Sequence, residues 1–410
     1  MNISGIITEY NPFHLGHKLH LDMTKELTKS DGIVCIMSGN FVQRGEPAFI
    51  DKWKRAEMAL KNGIDLVIEL PAIFSLSSAE FFAFGAVSLL DSLKVVNSIC
   101  FGSESGNIKT LKEISSILFE EPLIFKEFLK ENLKSGESIT KARSIALLNT
   151  LSSCNKSFNL KPLETILNSS NNILGIEYIK ALKLLNSNIT PYTFKRLGGN
   201  YNSKTLDNSI SSATSIREFL KSNGDIEALS THMPIESYNL LNFLFSNNYD
   251  FVDKEKMFTF LKYKITTEAY KLKEIPEVKE GLDNKILKEF IKAKDLHELI
   301  MNIKSKRYTY TRISRILTQF FIGFEEFNID SLRKTRPDYI RILGLNKKGA
   351  KIIKEIKKNS TLSIINKVPK YKNPMLSLDV KATNTYSLIC SSIKYNDDYK
   401  KSPIIIMDNY

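Results

Sequence analysis

Short apolar runs alternate with longer helical stretches through the first hundred residues, and this alternation constrains the fold most strongly. The runs cover residues 3–8, 32–37, 64–70 and 95–102. Helical patterns separate them at residues 15–28, 53–61 and 78–90, with Asp51 as the expected N-cap of the second helix. Strands joined by helices of this length form right-handed crossovers in a parallel sheet that is covered on both faces. The pattern predicts a Rossmann-like, doubly wound α/β domain.

The rest of the chain is mainly helical in its pattern. Helical stretches cover residues 107–160 and 170–187, a strand is expected at 189–199, and another helix begins near residue 211. Beyond about residue 225 strand signals nearly vanish, although 386–393 and 401–407 have the composition of short strands. We therefore expect an α/β domain at residues 1–225, followed by a mostly α-helical, basic domain at residues 226–410.

Composition narrows the class of protein. Hydrophobic residues make up 42% and charged residues 25% of the 410 positions, as in globular chains. No apolar run has the length needed to cross a bilayer, and no signal-peptide pattern follows Met1, so we expect no membrane partner. The four cysteines are scattered, which predicts buried thiols in a reducing cytoplasm: Cys35, Cys100, Cys154 and Cys390.

The positive charge is concentrated in one part of the chain. The formal net charge is +13, and residues 301–372 contain 18 Lys plus Arg against five Asp plus Glu. This window carries a surplus as large as that of the whole chain. A local field of this kind suggests a polyanionic partner, and a solvated lysine-rich surface is the alternative.

Three of the five histidines lie within seven positions, at His14, His17 and His20. They follow the first predicted strand, where the next helix begins. Ligands of open α/β sheets bind beyond the carboxyl ends of the strands, and a helix N-terminus there suits phosphate. Gly16 would allow a phosphate or base to approach the backbone closely. The alternatives are a metal site that His20 completes and a purely structural helix cap.

An ordered set of segments carries a family resemblance. The residues "HLGH" at 14–17 fit the H-x-G-H motif of the nucleotidylyltransferase superfamily. Beyond "TEYNPFHLGH" come "MSGNFVQRGEPAFIDKWKRAEMAL", "DLVIELP", "FGSE", "NNILGIEYIKAL" and "KRLGGNY". With these segments the chain resembles the bacterial tRNA(Met) cytidine acetate ligase family along essentially its whole length.

The resemblance implies a nucleotidylyltransferase type of sheet and a defined reaction. Acetate and ATP would form acetyl-adenylate, and the acetyl group would pass to N4 of the wobble cytidine of elongator tRNA(Met). The partners would thus be acetate and this tRNA, with Mg²⁺ expected on the phosphates. Two further readings stay open: a small-molecule adenylyltransferase of the same superfamily and a non-catalytic RNA-binding protein.

The resemblance also implies site residues. His14 and His17 would be catalytic and would contact the phosphates of ATP. The ATP contacts as a whole would come from two groups of residues. In the second group, Asn171 is the alternative to Asn172. The first is the segment Ile7, Thr8, Glu9, Tyr10, Asn11, Pro12, Phe13, His14, Leu15, Gly16, His17, Lys18, Leu19 and His20; the second is Gly102, Asn172, Arg196 and Leu197.

Two more segments suggest contacts to the substrates. "ISSATSIR", residues 210–217, resembles the Ser/Thr-rich helix start of many nucleotidylyltransferases, where Arg217 would hold the β- and γ-phosphates. An ordinary N-cap with a surface arginine is the alternative. In "SGNFVQRGEP", Asn40, Gln43 and Arg44 are candidates for acetate or RNA contacts, and Arg44 suits a carboxylate best.

The basic window predicts an amphipathic helix. Its apolar face would hold Ile313, Ile316, Leu317 and Phe320. Its cations Lys304, Lys306, Arg307, Arg312 and Arg315 are interleaved with Tyr308, Tyr310, Phe320 and Phe321. Cations beside aromatic rings suit RNA phosphates and bases, so we expect residues 226–410 to bind tRNA. The alternative is that the apolar residues and tyrosines only pack in the core.

Overall fold

The computed structural model describes residues 1–137, 139–154, 165–196, 211–223, 225–369 and 373–407. Ten strands are assigned within these ranges. They are β1 (Ile3–Thr8), β2 (Gly32–Ser38), β3 (Phe41–Val42), β4 (Glu46–Pro47), β5 (Leu66–Leu70), β6 (Ser98–Ser103), β7 (Thr190–Lys195), β8 (Tyr339–Asn346), β9 (Ser363–Ile365) and β10 (Ile404–Ile406). All except the β3–β4 hairpin belong to one eight-stranded sheet.

The strands are connected mainly by helices. The first half contains α1 (Leu15–Thr28), α2 (Lys52–Lys61), α3 (Ala72–Ser75), α4 (Ala79–Ser92), α5 (Ile108–Glu120), α6 (Leu123–Lys134), α7 (Ile139–Cys154), α8 (Ser170–Leu184) and α9 (Ala213–Asn223). The second half contains α10 (Ile235–Ser246), α11 (Met257–Glu268), α12 (Leu282–Phe290), α13 (Leu296–Ile303), α14 (Tyr310–Ile322), α15 (Ile329–Leu332), α16 (Lys347–Asn359), α17 (Pro374–Tyr386) and α18 (Asp397–Lys400). Short 3₁₀ turns lie at Glu227–Thr231, Lys254–Lys256, Ala269–Glu274 and Phe324–Glu326.

The parallel part of the sheet confirms the predicted α/β architecture. Its order is β5-β2-β1-β6-β7, with β1 in the middle, and every neighbouring pair runs parallel. The strands β1, β2 and β5 are buried almost throughout, because helices cover both faces. Asp51 caps α2 as predicted, since its carboxylate accepts hydrogen bonds from the amides of Trp53 and Lys54 at 2.9 and 3.2 Å.

Three strands from the C-terminal part of the chain extend the same sheet. β8 pairs antiparallel with β5, and both β9 and β10 run parallel to β8. The short strand expected at 401–407 is confirmed by β10, whereas the one expected at 386–393 is wrong, because this segment ends α17 and continues in turns. The sheet therefore takes strands from both sides of residue 225, and the two-domain division at that residue stays a prediction.

A buried ionic cluster joins the end of the chain to the sheet. The Lys52 ammonium lies 2.8 Å from Glu69 of β5 and 2.8 Å from Asp398 of α18. Arg341 of β8 lies 3.1 Å from the same Asp398 carboxylate. All four side chains are buried, so removing any one of them would leave uncompensated charge in the interior.

The apolar core has two clusters that include opposite sides of the central strands. Val34 and Ile36 of β2 belong to one cluster, and Ile33, Cys35 and Met37 belong to the other. Cys35, Cys100 and Cys390 are buried free thiols, as predicted, and the side chain of Cys154 lies outside the described residues. In the described ranges, no helix combines the length and apolar character that a bilayer span requires.

Candidate functional site

A deep cleft opens where β1, β6 and β7 end. The loop after β1, the start of α1, the β3–β4 turn and the start of α9 form its polar walls. Asn171 and Arg196 add further polar atoms. The apolar part of its surface comes from Ile7, Leu19, Phe82, Phe101, Leu174, Tyr178 and Phe194. Charged and polar groups together with aromatic and aliphatic side chains match the needs of a nucleotide, whose phosphates are charged and whose flat base has apolar faces.

His14 and His17 form the start of α1 together. The Nδ1 atom of His14 accepts a hydrogen bond from the amide of Gly16 at 3.0 Å. The Nδ1 atom of His17 accepts one from the amide of His14 at 3.3 Å, and the two ring centroids lie 3.9 Å apart. The cap that was an alternative to a phosphate site is therefore present. It leaves the Nε2 atom of each cleft-lining ring available.

Burial keeps both imidazoles neutral. It lowers the pKa of His14 to about 3, helped by the nearby cations Arg196 and Arg217. It lowers the pKa of His17 well below the ordinary value, helped by His14. A neutral ring that accepts at Nδ1 carries its hydrogen on Nε2. The cap thus fixes the tautomer in which each ring presents an N–H donor.

His20 has a different role from the other two histidines. Its Nε2 lies 2.9 Å from the carbonyl oxygen of Cys100, to which it donates, and its ring packs 5.5 Å from that of Phe194. Burial lowers its pKa to about 4. The ring joins α1 to β6. Its only N–H group donates to the backbone, so His20 does not add a third donor to those of His14 and His17.

The start of α9 provides the opposite polar wall. Ser211, Ser212 and Thr214 line the cleft there, and the Ser212 hydroxyl accepts from the amide of Ser215 at 3.1 Å. Arg217 donates to the carbonyl of Asn11 at 2.7 Å and lies 3.2 Å from the carboxylate of Glu46. It therefore ties α9 to the loop that carries His14, while Ile210 of the predicted segment lies outside the described residues.

Gly102 lies where β6 meets the cleft. A Cβ atom at this position would come within 2.9 Å of the Arg196 side chain and 3.0 Å of the Phe194 ring. Arg196 itself lines the cleft directly after β7. The missing side chain of Gly102 thus makes room for Arg196 to fold back over the sheet edge.

The β3–β4 turn brings Gln43 and Arg44 to the cleft but not Asn40. Asn40 is buried, accepts from the amide of Lys52 at 2.8 Å and donates to Thr383 at 3.3 Å. This burial removes Asn40 from the candidates for an acetate contact.

Helix α14 holds the β3–β4 turn in place, and the sequence did not suggest this contact. The Gly45 carbonyl accepts hydrogen bonds from Ser314 and Thr318 at 2.6 and 2.7 Å. Gly45 has a φ of +79°, and a Cβ atom there would lie 2.2 Å from the backbone nitrogen of Arg315. Only glycine fits such a close crossing in the left-handed region.

Arg55 of α2 is a second residue that the sequence analysis missed. Its fully buried guanidinium donates to the carbonyls of Glu9 and Ser38 at 2.6 and 3.1 Å, and also to that of Gly39. It therefore joins the loops that follow β1 and β2. The sequence feature that could have identified Arg55 is its position on a helix that covers the sheet, three residues after the buried Lys52.

Two carboxylates also line the cleft. Glu46 is paired with Arg217, as described above, and lies 3.9 Å from Lys254. Glu9 accepts a hydrogen bond from the amide of Gln43 at 2.8 Å. Burial raises the pKa of the Glu9 carboxyl above its ordinary value. No three His, Cys, Asp or Glu side chains are grouped as metal ligands anywhere in the described ranges.

Most residues of the predicted ATP segment line the cleft. They are Ile7, Thr8, Glu9, Tyr10, Asn11, His14, Gly16, His17, Leu19 and His20, joined by Gly102 and Arg196. Pro12, Phe13, Leu15 and Lys18 do not line it. Asn171 lines the cleft, whereas Asn172 is buried and accepts from the amide of Ser105 at 3.1 Å. Leu197 lies outside the described residues.

The basic window does not form one continuous cationic face. The apolar face of α14 is buried as expected, but Arg315 is buried with it, beside Gly45. Arg312 lies 3.2 Å from Glu277, and Arg307 pairs with Glu280. The Tyr308 hydroxyl donates to the carbonyl of Lys279 at 3.0 Å. The exposed cations before α14 are Lys304, Lys306 and Arg307.

The start of α14 nevertheless lies near the cleft. Lys254 donates to the Tyr310 hydroxyl at 3.0 Å and lies 3.9 Å from the cleft residue Glu46. By contrast, α16 packs at the opposite end of the strands, where Gly349 touches the carbonyl of Asp65 just before β5. Lys370 and Lys372, the last two cations of the window, lie outside the described residues.

Comparison with known proteins agrees with this geometry. A model of the HIGH Nucleotidyl Transferase family matches residues 1–401. The chain is 53% identical over 406 residues to the tRNA(Met) cytidine acetate ligase of Clostridium novyi, covering 99% of this chain and 100% of that protein. It is 55% identical over 407 residues to the Clostridium perfringens (strain SM101) protein of the same name, with the same coverage.

Two solved structures of Thermotoga maritima TmcAL also match. Both are 34% identical to the chain and cover 99% of it and 100% of their own length. The TM-score is 0.89 for the crystal structure bound with alpha-thio ATP and 0.92 for the apo form. The chain therefore belongs to the HIGH nucleotidyl transferase family and, within it, to the family of the tRNA(Met) cytidine acetate ligases.

Proposed function

We propose that the protein activates acetate with ATP and transfers the acetyl group to N4 of the wobble cytidine of elongator tRNA(Met), in the cytoplasm. The relatives' names and the match to TmcAL bound with alpha-thio ATP support this function. One observation carries the proposal. His14 and His17 are kept neutral by burial, their ring centroids lie 3.9 Å apart, each accepts a backbone hydrogen bond at Nδ1, and both line the cleft.

The first step needs charge stabilisation more than acid or base catalysis. Acetate is ionised at pH 7, so its oxygen can attack the α-phosphorus of ATP directly, and pyrophosphate leaves. The Nε2–H groups of His14 and His17 donate to the phosphate oxygens on which charge develops. Donors that are already oriented require no reorganisation at that moment, and one such donor is typically worth roughly 3–4 kcal/mol.

The other ATP contacts follow the predicted positions. The proposed contacts are the positions of residues 7–20 that line the cleft, together with Gly102 and Arg196. Asn171 is preferred to Asn172, because of these two only Asn171 lines the cleft. Leu197 stays a predicted contact. Mg²⁺ neutralises the phosphates when it is bound.

The RNA is proposed to approach from the side of α14. The exposed cations Lys304, Lys306 and Arg307 precede this helix, whose first residue reaches the cleft through Lys254. Cations at this place would hold phosphates of the anticodon stem-loop, while the wobble base is unstacked into the cleft. In this proposal residues 1–225 contribute the ATP site and residues 226–410 most of the RNA contacts.

One assay tests the whole proposal. The protein is incubated with ATP, ¹⁴C-acetate and bulk tRNA, and label is counted in the RNA. The expected result is ATP-dependent label in elongator tRNA(Met), as N4-acetylcytidine, that a His17→Ala variant reduces strongly. Pyrophosphate release that requires another small substrate would indicate an adenylyltransferase instead. A complete absence of both label and nucleotide turnover would contradict the proposal.

A further inference from the structure

The cleft contains a carboxylate that the activation of acetate does not use. Most of its other polar walls hold hydrogen-bond donors and cations, which suit phosphate. Glu9 lies among them, directly after β1. A carboxylate beside a bound triphosphate or acetate repels it, and the attack of ionised acetate on ATP needs no base.

Glu9 also differs from the second carboxylate of the cleft. Glu46 is neutralised by Arg217 at 3.2 Å. Glu9 accepts a hydrogen bond from the amide of Gln43 at Oε1, at 2.8 Å. The nearby charges of Arg44 and Arg55 lower its pKa but do not overcome the effect of burial. Its Oε2 atom therefore remains able to accept a proton inside the cleft.

We propose that Glu9 is the general base of the second step and receives the proton that the cytidine N4 amino group loses. This inference rests on the proposed function. The N4 lone pair attacks the acetyl carbonyl of acetyl-adenylate, and a C–N bond forms. The bond between the acetyl carbon and the phosphate oxygen then breaks, and AMP leaves with that electron pair. The N4 proton moves to the Oε2 atom of Glu9.

The chemistry of cytosine fits a carboxylate at this place. Its exocyclic amino group is a hydrogen-bond donor that Glu and Asp side chains accept from in nucleic-acid complexes. The amine is weakly nucleophilic because its lone pair is delocalised into the ring. A base that removes its proton as the C–N bond forms contributes typically ~10²–10⁴-fold to such a step.

The surroundings of Glu9 suit a base. Burial raises its pKa, and Glu46 of the neighbouring turn acts in the same direction. Arg44 of that turn and Arg55 of α2 oppose the rise. The raised pKa makes the carboxylate a stronger base than a solvated glutamate.

The test separates the two steps in the same enzyme. Acetate-dependent exchange of labelled pyrophosphate into ATP measures the first step, and single-turnover acetylation of a tRNA(Met) transcript measures the second. Hydroxylamine, which needs no general base, captures the acetyl group as acetohydroxamate. In E9Q the ratio of RNA acetylation to exchange should fall at least about 100-fold. The rate of hydroxamate formation should change only as much as the rate of exchange does. The KM for the transcript should change by less than about threefold.

A matched control and a pH profile complete the test. E113Q removes an exposed carboxylate of α5 and should keep the wild-type ratio. In the wild-type protein, the ratio should fall as the pH drops through the raised pKa of Glu9, and E9Q should lose this dependence. An equal fall of exchange and acetylation in E9Q, an effect on KM alone, or an unchanged ratio would each overturn the role as base. Wild-type protein without any acetate-dependent exchange would instead contradict the proposed function.

Discussion

The two ends of the central strands carry positive charge in different ways. At the carboxyl end, the cleft places Arg196 and Arg217 beside imidazoles that backbone hydrogen bonds hold in one tautomer. At the amino end, a groove beside Met1 and Asn97 is lined by Lys94, Lys351, Lys354, Lys357 and Lys358. These lysines are exposed, and Lys94 and Lys358 pair with the nearby carboxylates of Asp91 and Glu355.

The difference teaches where chemistry is to be expected. The groove has more positive charge, but its lysines are exposed to solvent and their charges are screened by salt. The cleft has fewer cations, and its polar groups are fixed before any ligand arrives. The ends of β1 are roughly 20 Å apart at about 3.3 Å per residue, so one phosphate group cannot touch both. The two ends of the strands differ more in how firmly their polar groups are held in place than in their net charge.

The largest expected effect comes from removing one fixed donor in the cleft. H17N retains an acceptor for the amide of His14 but lacks a donor at the Nε2 position. We expect acetate-dependent ATP–pyrophosphate exchange to fall roughly 10²–10³-fold, as for the loss of one oriented donor. H17Q places an amide nitrogen near the Nε2 position and should recover part of this loss. Equal loss in both variants, with unchanged melting temperatures, would contradict the donor role.

The next effect concerns the crossing that fixes the cleft turn. G45A adds a Cβ atom against the backbone of Arg315 at a positive φ. We expect a fall in the free energy of unfolding of about 3 kcal/mol or more, from a left-handed conformation worth roughly 1–2 kcal/mol plus the clash. G136A is the matched control, because Gly136 has φ +87° with nothing within 4 Å. Urea denaturation of both variants measures the difference. Equal losses of unfolding free energy would show that the backbone of Arg315 can move enough to accommodate a Cβ atom at position 45.

A moderate effect is expected from pH. The folded pKa values of His14 and His20 are lowered to about 3 and 4, so the unfolded chain binds more protons below pH 6.5. Their stabilising contribution is present above that pH and is lost as the pH falls toward 4. The slope should be about 1.4 kcal/mol per pH unit for each histidine. Urea denaturation of H20N, compared with wild type between pH 7 and 5, should show a shallower slope.

The smallest effect comes from exposed lysines. The double variant K304Q/K306Q should weaken RNA binding a few fold and reduce the salt slope of log K by about 2, one for each phosphate contact. K351Q/K354Q, at the other end of the strands, should leave affinity and slope unchanged. Filter binding of a tRNA(Met) transcript at several salt concentrations measures both. A larger effect from the second pair would show that RNA reaches the amino end.

The parallel half of the fold could be predicted from the sequence because its signals are local. The bounds of β1 and α1 agree residue by residue with the expected ranges, since apolar runs and caps are read within a few positions. β8 was missed. Its residues 339–346 include Arg341, whose charge is compensated by Asp398, 57 residues away. No local pattern reveals a partner at that separation.

For the candidate site, too, only local features could be predicted from the sequence. The motif predicted that His14 and His17 would lie together at a helix start, because spacing within one turn is a local property. The burial of Asn40 and Arg315 depends on helices packed from elsewhere in the chain, and so does the choice between Asn171 and Asn172. The link between Gly45 and α14 spans more than 260 residues, so it could not be predicted from either segment alone.

The pairing of β8 with β5 also has a consequence during synthesis. A nascent polypeptide that ends before residue 339 exposes β5 as an open edge, able to pair with foreign strands. It also lacks Asp398, one of the two carboxylates that neutralise Lys52. The ribosome must therefore complete nearly the whole chain before the framework around the nucleotide cleft closes, and chaperone protection of the early fragment would matter until then.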